Sequence, residues 1–318
     1  MPRSAVHVPH PLRPYDPLIV NVALTGMVPR RPSVPHVPVT ARQIVQDAVD
    51  CTRAGATILH LHARDADQSP DWHRAAYERF IPELRESCPG AILCVTTSGR
   101  DVKDFERRAD VLELEGDAKP DMASLTLGSM NFRTQASVND PQMILGLVER
   151  MRERSIRPEL EVFDTGMAYL AAEFLDRGII EGPVYANILL GGPNTAPATA
   201  GSLVHLVDIL PTQTVWAAGG LGPFQFPMNG LAVLMGGHVR TGLEDSPWMD
   251  LDRAQPATNA RLVQRVTEIA RLAGRSLADA GWVRARLGLD GGGSGDGDRL
   301  TAASSARAAA QELGSSPI

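Results

Sequence analysis

Residues 57–63 read Thr57-Ile58-Leu59-His60-Leu61-His62-Ala63. Apolar and β-branched residues dominate this run, and in an extended strand side chains two positions apart project from the same face. His60 and His62 therefore stand side by side, while Leu59 and Leu61 face the other way. Two neutral imidazoles at that spacing supply half of a divalent metal site, most naturally one for zinc. The competing reading is a pair of core histidines bonded to backbone. Arg64 and Asp65 follow at the C-terminal end of the strand, which favours the functional reading.

Seven further runs of the same kind lie on either side: Leu18–Thr25, Ile92–Thr97, Met122–Leu127, Glu159–Phe163, Tyr185–Leu190, Thr214–Ala218 and His238–Leu243. Helical stretches separate them. Thr40–Arg53 carries a Thr N-cap with Gln43 three residues on, the capping-box spacing. Pro141–Glu153 places proline in a first turn, and Ala196–Asp208 and Thr258–Ala273 read as helices too. Eight strands alternating with helices over roughly 250 residues predict a (β/α)8 TIM barrel. A doubly wound open sheet is the alternative, but no G-x-G-x-x-G follows the first strand. We therefore expect an N-terminal extension over 1–17, a catalytic barrel over 18–288 and a tail over 289–318. The tail begins with a Gly-rich run and continues with an Ala-rich segment, Ala302–Leu313, that could form a short helix; its composition is that of a flexible linker.

The 318 residues are 43% hydrophobic and 21% charged, ordinary for a soluble globular protein, with a net charge of -6 that argues against nucleic acid as a main partner. Net charge does not exclude coenzyme A, because local arginines and backbone N–H groups can hold phosphates. Cys51, Cys88 and Cys94 show no C-x-x-C spacing and read as free thiols of a reducing compartment. The N-terminus lacks a signal-peptide core and no apolar run is long enough to span a bilayer, so the expectation is a cytoplasmic enzyme without a membrane partner.

Several strands carry polar residues among apolar neighbours: His60, His62, Thr96, Ser124, Glu159, Glu161 and Arg240. In a barrel the inward positions near the C-terminal mouth form the active site. Leaving Glu161 or Arg240 buried after loss of its partner costs about 3–5 kcal/mol, so a shared site explains them better than strand propensity does. A third metal ligand comes from Gly236-Gly237-His238-Val239-Arg240-Thr241-Gly242-Leu243-Glu244-Asp245. Glu244 falls near the end of the eighth strand, at the same mouth as His62. A His2Glu set leaves positions open for substrate. Arg240 and Glu244 share a face by parity. Asp245 reaches the pocket only if the chain turns just after Glu244, where it would pair with Arg240 as a base. The alternative is a surface Glu-Asp pair in a loop.

Thr25-Gly26, H-L-H-A-R-D over His60–Asp65, P-E-L-E-V-F over Pro158–Phe163 and G-G-H-V-R-T-G-L-E-D over Gly236–Asp245 occur in that order. Together they resemble the β-keto acid cleavage enzymes, relatives of 3-keto-5-aminohexanoate cleavage enzyme, over roughly residues 18 to 288. The resemblance implies a zinc-dependent TIM barrel, usually a homo-oligomer, here a dimer or tetramer with one Zn2+ per subunit. It implies conversion of a β-keto acid and acetyl-CoA, the co-substrate, into acetoacetate and a new acyl-CoA. Carried over by residue, zinc falls to His60, His62 and Glu244, the Arg–Asp catalytic pair to Arg240 and Asp245, and an active-site acid to Glu161. Substrate-binding hydroxyls fall to Thr96 and Ser124. The glycines Gly191, Gly192, Gly220 and Gly222 stand where backbone N–H groups approach the CoA phosphates, although the arginine common after strand seven is replaced by Pro223.

Val28 stands where the aminohexanoate enzymes carry an acid that pairs with the substrate ammonium. Met27 and Val28 would favour a neutral or alkyl tail; an anionic tail is the alternative if Arg30 or Arg31 turns inward. Two other functions compete with the cleavage enzyme. One is a zinc hydrolase or lyase on the same barrel, which usually has further histidines on later strands; here only His238 is offered, at a strand start. The other is a non-catalytic metal- or CoA-binding homologue, which would have no need of the Arg240–Asp245 pair.

Overall fold

A computed structural model of the protein describes residues 15–289. Eight parallel strands close into one barrel: β1 (Val20–Ala23), β2 (Ile58–Leu61), β3 (Ile92–Val95), β4 (Met122–Thr126), β5 (Arg157–Val162), β6 (Tyr185–Leu190), β7 (Val215–Gly220) and β8 (His238–Thr241). Each pairs with its neighbours in sequence, and β8 closes on β1 through Asn21↔Arg240 and Val22↔Thr241. Each of the eight expected runs overlaps a barrel strand; β5 starts earlier than expected, at Arg157, and β7 runs on to Gly220. The N-terminal extension up to residue 14 and the tail from residue 290, with its Ala-rich helical segment, lie outside the described residues.

The helices start where the sequence offers caps. Thr40 and Gln43 form the reciprocal capping box of the helix Ala41–Ala54, and Asp140 caps Pro141–Glu153 through the amide of Met143. The expected helix Ala196–Asp208 begins later, at Ala200. Thr199 caps it through the Ser202 amide. Ala196 is instead held in the β6 loop, its amide donating to Phe163 and its carbonyl accepting from Gly191.

The inward residues of the strands climb from apolar to polar. Ile19, Ile58, Ile92, Met122, Tyr185 and Val215 pack at the closed end against Val283 and Leu287 of the helix Ala280–Leu287. Above them stand Asn21, His60, Cys94, Ser124, Glu159 and Asn187, all buried. The outward leucines, valines and isoleucines of the strands pack against the helices. The shell between strands and helices is thus largely apolar, and the polar residues of the strand interiors gather toward the C-terminal mouth, as the fold prescribes.

Candidate active site

His60 lies on the inner face of β2, and His62 lies two residues on, immediately beyond the strand end at Leu61. Both are nearly fully buried. Glu244 reaches them from the loop after β8. His60 Nε2 and His62 Nε2 lie 3.2 Å apart. Glu244 Oε2 lies 3.2 Å from His62 Nε2 and 3.8 Å from His60 Nε2. Oε2 is buried and has no hydrogen-bond partner. Two imidazole nitrogens and a carboxylate oxygen without a hydrogen bond converge on one point and form a donor set that a divalent cation would satisfy. Burial lowers the affinity of His62 for a proton despite the carboxylate beside it, keeping it in the neutral form that ligation requires.

A close approach places Glu244. Gly26 adopts φ +64°, and a Cβ there would fall 2.5 Å from Glu244 Cγ. Gly242 lets the chain pass over β1, where a Cβ would fall 2.2 Å from the Ala23 carbonyl. The turn then closes as the amides of Asp245 and Ser246 donate to Gly242 O.

Beneath the histidines, Glu159 fixes the set. Its Oε2 lies 2.6 Å from His60 Nδ1 and 3.1 Å from Cys94 Sγ. Its Oε1 accepts from Asn21 and Asn187 at 2.5 and 2.7 Å. Burial alone would raise Glu159, but the charge and hydrogen bond of His60, with Arg240 beyond, outweigh it and hold it at about 2. An ionised Glu159 keeps the His60 proton on Nδ1, so the Nε2 lone pair faces Glu244 and His62.

Arg240 occupies the centre of the mouth, 1% exposed. Its Nε donates to Asp245 Oδ2 at 3.1 Å, Nη2 lies 3.3 Å from Glu244 Oε2, and Nη1 lies 3.5 Å from Glu161 Oε1. Glu161 also accepts from Thr126 Oγ1 at 2.6 Å. Burial pushes Asp245 above the usual carboxylate range, against the pull of Arg240; burial likewise raises Glu161. One guanidinium faces four carboxylates, Glu159, Glu161, Glu244 and Asp245, within 4.0 Å. A dication at the His60–His62–Glu244 set would offset much of that negative charge.

The sequence pattern of the beta-keto acid cleavage enzyme family matches residues 17–289. The chain belongs to the β-keto acid cleavage enzyme family. It is similar to 3-oxoadipate:acetyl-CoA acetyltransferase of Cupriavidus necator, 36% identical over 86% of this chain and 95% of that one. It is also similar to 3-keto-5-aminohexanoate cleavage enzyme of Acetoanaerobium sticklandii, 33% identical over 86% and 99%. The apo structure of ObcA shares the fold, with a TM-score of 0.68 at 21% identity, covering 80% of this chain and 66% of that one.

In this cleavage-enzyme barrel the pocket above Arg240 is lined by His62, Glu161, Glu244 and Asp245, and also by Thr96 and Val28. Ser124 is not at its surface. Its register partner is Glu159, one step below the mouth, and its Oγ accepts from the Thr97 amide at 3.1 Å. Thr126, two residues nearer the mouth and paired with Glu161 in register, supplies the pocket hydroxyl instead. Three of the four glycines expected near the CoA phosphates have their N–H groups engaged within the loops. The amides of Gly191 and Gly192 donate to Ala196 O and Thr195 Oγ1, and that of Gly222 donates to Asp245 O. A Cβ on Gly220 would fall 2.2 Å from the Phe224 carbonyl. Packing inside the loops accounts for these residues, and three of the four N–H groups are already used.

Other arginines near the mouth are engaged as well. Arg30 bonds the carbonyls of Met27, Val28 and Pro29, and Arg31 bonds that of Val37, so neither turns inward. Arg64 clasps the carbonyls of Gly26, Pro29 and Gln68, and Asp65 accepts the amides of Asp67 and Ser69. This pair braces the loop over Gly26 and does not enter the pocket. His238, at the closed end, accepts from the Ile19 amide.

Proposed function

We propose that the protein is a zinc-dependent enzyme that condenses a β-keto acid with acetyl-CoA and cleaves the adduct into acetoacetate and a new acyl-CoA. The observation that carries this reading is the juxtaposition of the His60–His62–Glu244 donor set with a carboxylate, Asp245, that is oriented by Arg240 yet belongs to none of the ligands. Metal binding alone needs no such group. The names of the relatives, acetyl-CoA transferases and β-keto acid cleavage enzymes, support the same chemistry. Zinc at this set would supply a Lewis acid for the ketone and carboxylate oxygens of the substrate.

Asp245 then removes a proton from C2 of the keto acid, with Arg240 holding its carboxylate in place. The C2 carbanion attacks the acetyl-CoA carbonyl and expels the CoA thiolate. The thiolate adds to the original ketone, the C2–C3 bond breaks, and the new acyl-CoA forms. The departing acetoacetate carbanion recovers its proton from Asp245. Glu161, Thr126 and Thr96 line the pocket and orient the substrate oxygens. Arg240 lowers the charge that a second anion meets on entering.

We take the protein to act as a cytoplasmic homo-oligomer. Its three cysteines are free and buried, in keeping with a reducing compartment, and no helix among the described residues is long and apolar enough to cross a membrane. The test is a panel of β-keto acids with acetyl-CoA, reading products by mass, beside metal analysis of wild type, His60→Ala and His62→Ala. New acyl-CoA with equimolar acetoacetate is expected, with metal lost from both variants. Cleavage without acetyl-CoA would make the protein a hydrolase or lyase, and full metal content in both variants would overturn the ligand set.

A further inference from the structure

Arg100 sits in the loop after β3 and shares the pocket wall with His62, Glu244 and Asp245. Its guanidinium carbon lies 3.5 Å from the centroid of the Phe132 ring, which in turn meets Phe163 edge-on. Among the described residues this guanidinium has no hydrogen bond and no ion pair. Arg30, Arg31, Arg64 and Arg108, by contrast, are spent on loop carbonyls. A half-buried arginine fixed flat on an aromatic ring, with its donor edge unused, is preorganised for a planar anion. The same pocket is lined by the apolar Met27, Val28, Met130 and Phe163, with Thr96, Ser98, Thr126 and Ser137 among its polar groups.

A β-keto acid placed with its ketone and C1 carboxylate at the donor set leaves its tail in this pocket, where Arg100 offers an unused cationic edge. We propose that Arg100 receives a second, terminal carboxylate, so that the natural substrate is a dicarboxylic β-keto acid. This deepens the cleavage reading and rests on it. It competes with the neutral tail expected from Val28 and gives the anionic alternative an arginine other than Arg30 or Arg31. The tail is anionic, and the arginine that meets it comes from a different loop. An ammonium tail would face a like charge and lose affinity. Coenzyme A carries anions too, and the test separates the two sources.

Wild type and Arg100→Met are compared on three six-carbon β-keto acids ending in carboxylate, methyl or ammonium, at saturating acetyl-CoA. Wild type should prefer the carboxylate. In Arg100→Met the carboxylate-to-methyl ratio of kcat/KM should fall about thirtyfold or more, chiefly through KM, as expected for losing a charge-assisted hydrogen bond. Arg100→Lys should recover part of the ratio. A wild-type preference for methyl or ammonium, or an unchanged ratio in Arg100→Met, overturns the proposal. So does a rise in the KM for acetyl-CoA of equal size with every keto acid, which would assign the arginine to coenzyme A. Calorimetric binding of adipate to the metal-loaded protein, without acetyl-CoA, decides the point independently of turnover. Binding weakened in Arg100→Met supports the carboxylate site even if no acyl-CoA forms and the reaction reading fails; equal binding refutes it.

Discussion

Glu159 Oε2 and His60 Nδ1 lie 2.6 Å apart, both completely buried. The carboxylate dictates which imidazole nitrogen carries the proton and so which one faces the other two donors. Glu159→Gln keeps the shape but removes the charge. We expect metal affinity to fall about 10–100-fold, the usual cost of losing such a supporting partner. Titration against a chelator checks this; an unchanged dissociation constant would show that His60 orients itself.

Asp245 tests the separation of chemistry from metal binding. Asp245→Asn leaves all three donors in place and can still accept from Arg240 Nε. Metal content should stay at the wild-type level. If about 3–4 kcal/mol of transition-state stabilisation is lost, turnover falls by a factor of hundreds to a thousand. Single-turnover kinetics within threefold of wild type would remove Asp245 from the role of base.

Gly26→Ala probes the close packing over Glu244. The new methyl would sit 2.5 Å from Glu244 Cγ, and the residue would have to hold φ +64°. The backbone cost is about 1–2 kcal/mol, small beside the stability of a barrel, so the fold should survive with a lower Tm. Metal affinity should fall by about tenfold or more as Glu244 is displaced. Circular dichroism and metal titration on the same sample separate these effects. Wild-type affinity would show that the loop gives way instead.

Asp47 sets a pH dependence away from the pocket. It accepts from Asn259 Nδ2 at 2.5 Å, while Asn259 also bonds Leu24 O and the Leu243 amide, tying the ends of β1 and β8 together. Burial raises Asp47 to about 7. Because the folded form holds its proton more tightly than the unfolded chain, the contribution to stability is full at low pH and is lost as pH rises toward about 7. Asp47→Asn can still accept from Asn259 and does not titrate. Its stability relative to wild type should improve by about 2 kcal/mol between pH 5.5 and 8.5. Urea unfolding at both values checks it; no pH dependence in the difference would mean that Asp47 ionises freely in the fold.

The barrel was legible because each strand is a short β-branched run between helices with caps, and the strands set by pattern alone coincide with those that close it. Parity along a strand also brought out His60, His62, Arg240 and Glu244, since a period of two is fixed by the backbone. The same parity shows where reading stopped short. Ser124 and Thr126 face the same way, and only the register with β5 reveals that Thr126 stands at the height of Glu161. Glu159 stood out as a charge in a strand, yet its four partners come from β1, β2, β3 and β6, which no local pattern joins. Arg100 lies on a loop, where no periodicity tells a side chain which way to point. The glycine-rich loops have the composition of phosphate cradles, but the amides of Gly191, Gly192 and Gly222 donate to internal carbonyls and a hydroxyl, which composition does not reveal.

The donor set draws on both ends of the barrel. His60 and His62 come from its second strand region, and Glu244 follows the eighth, with the β1–β8 seam between them. During synthesis the two histidines leave the ribosome long before the carboxylate exists. A nascent chain can offer an ion two imidazoles and nothing more, and the third donor is placed only when β8 docks on β1. An ion held by this set would therefore be taken up by the finished barrel, and a truncation that ends before β8 removes closure and the third donor together.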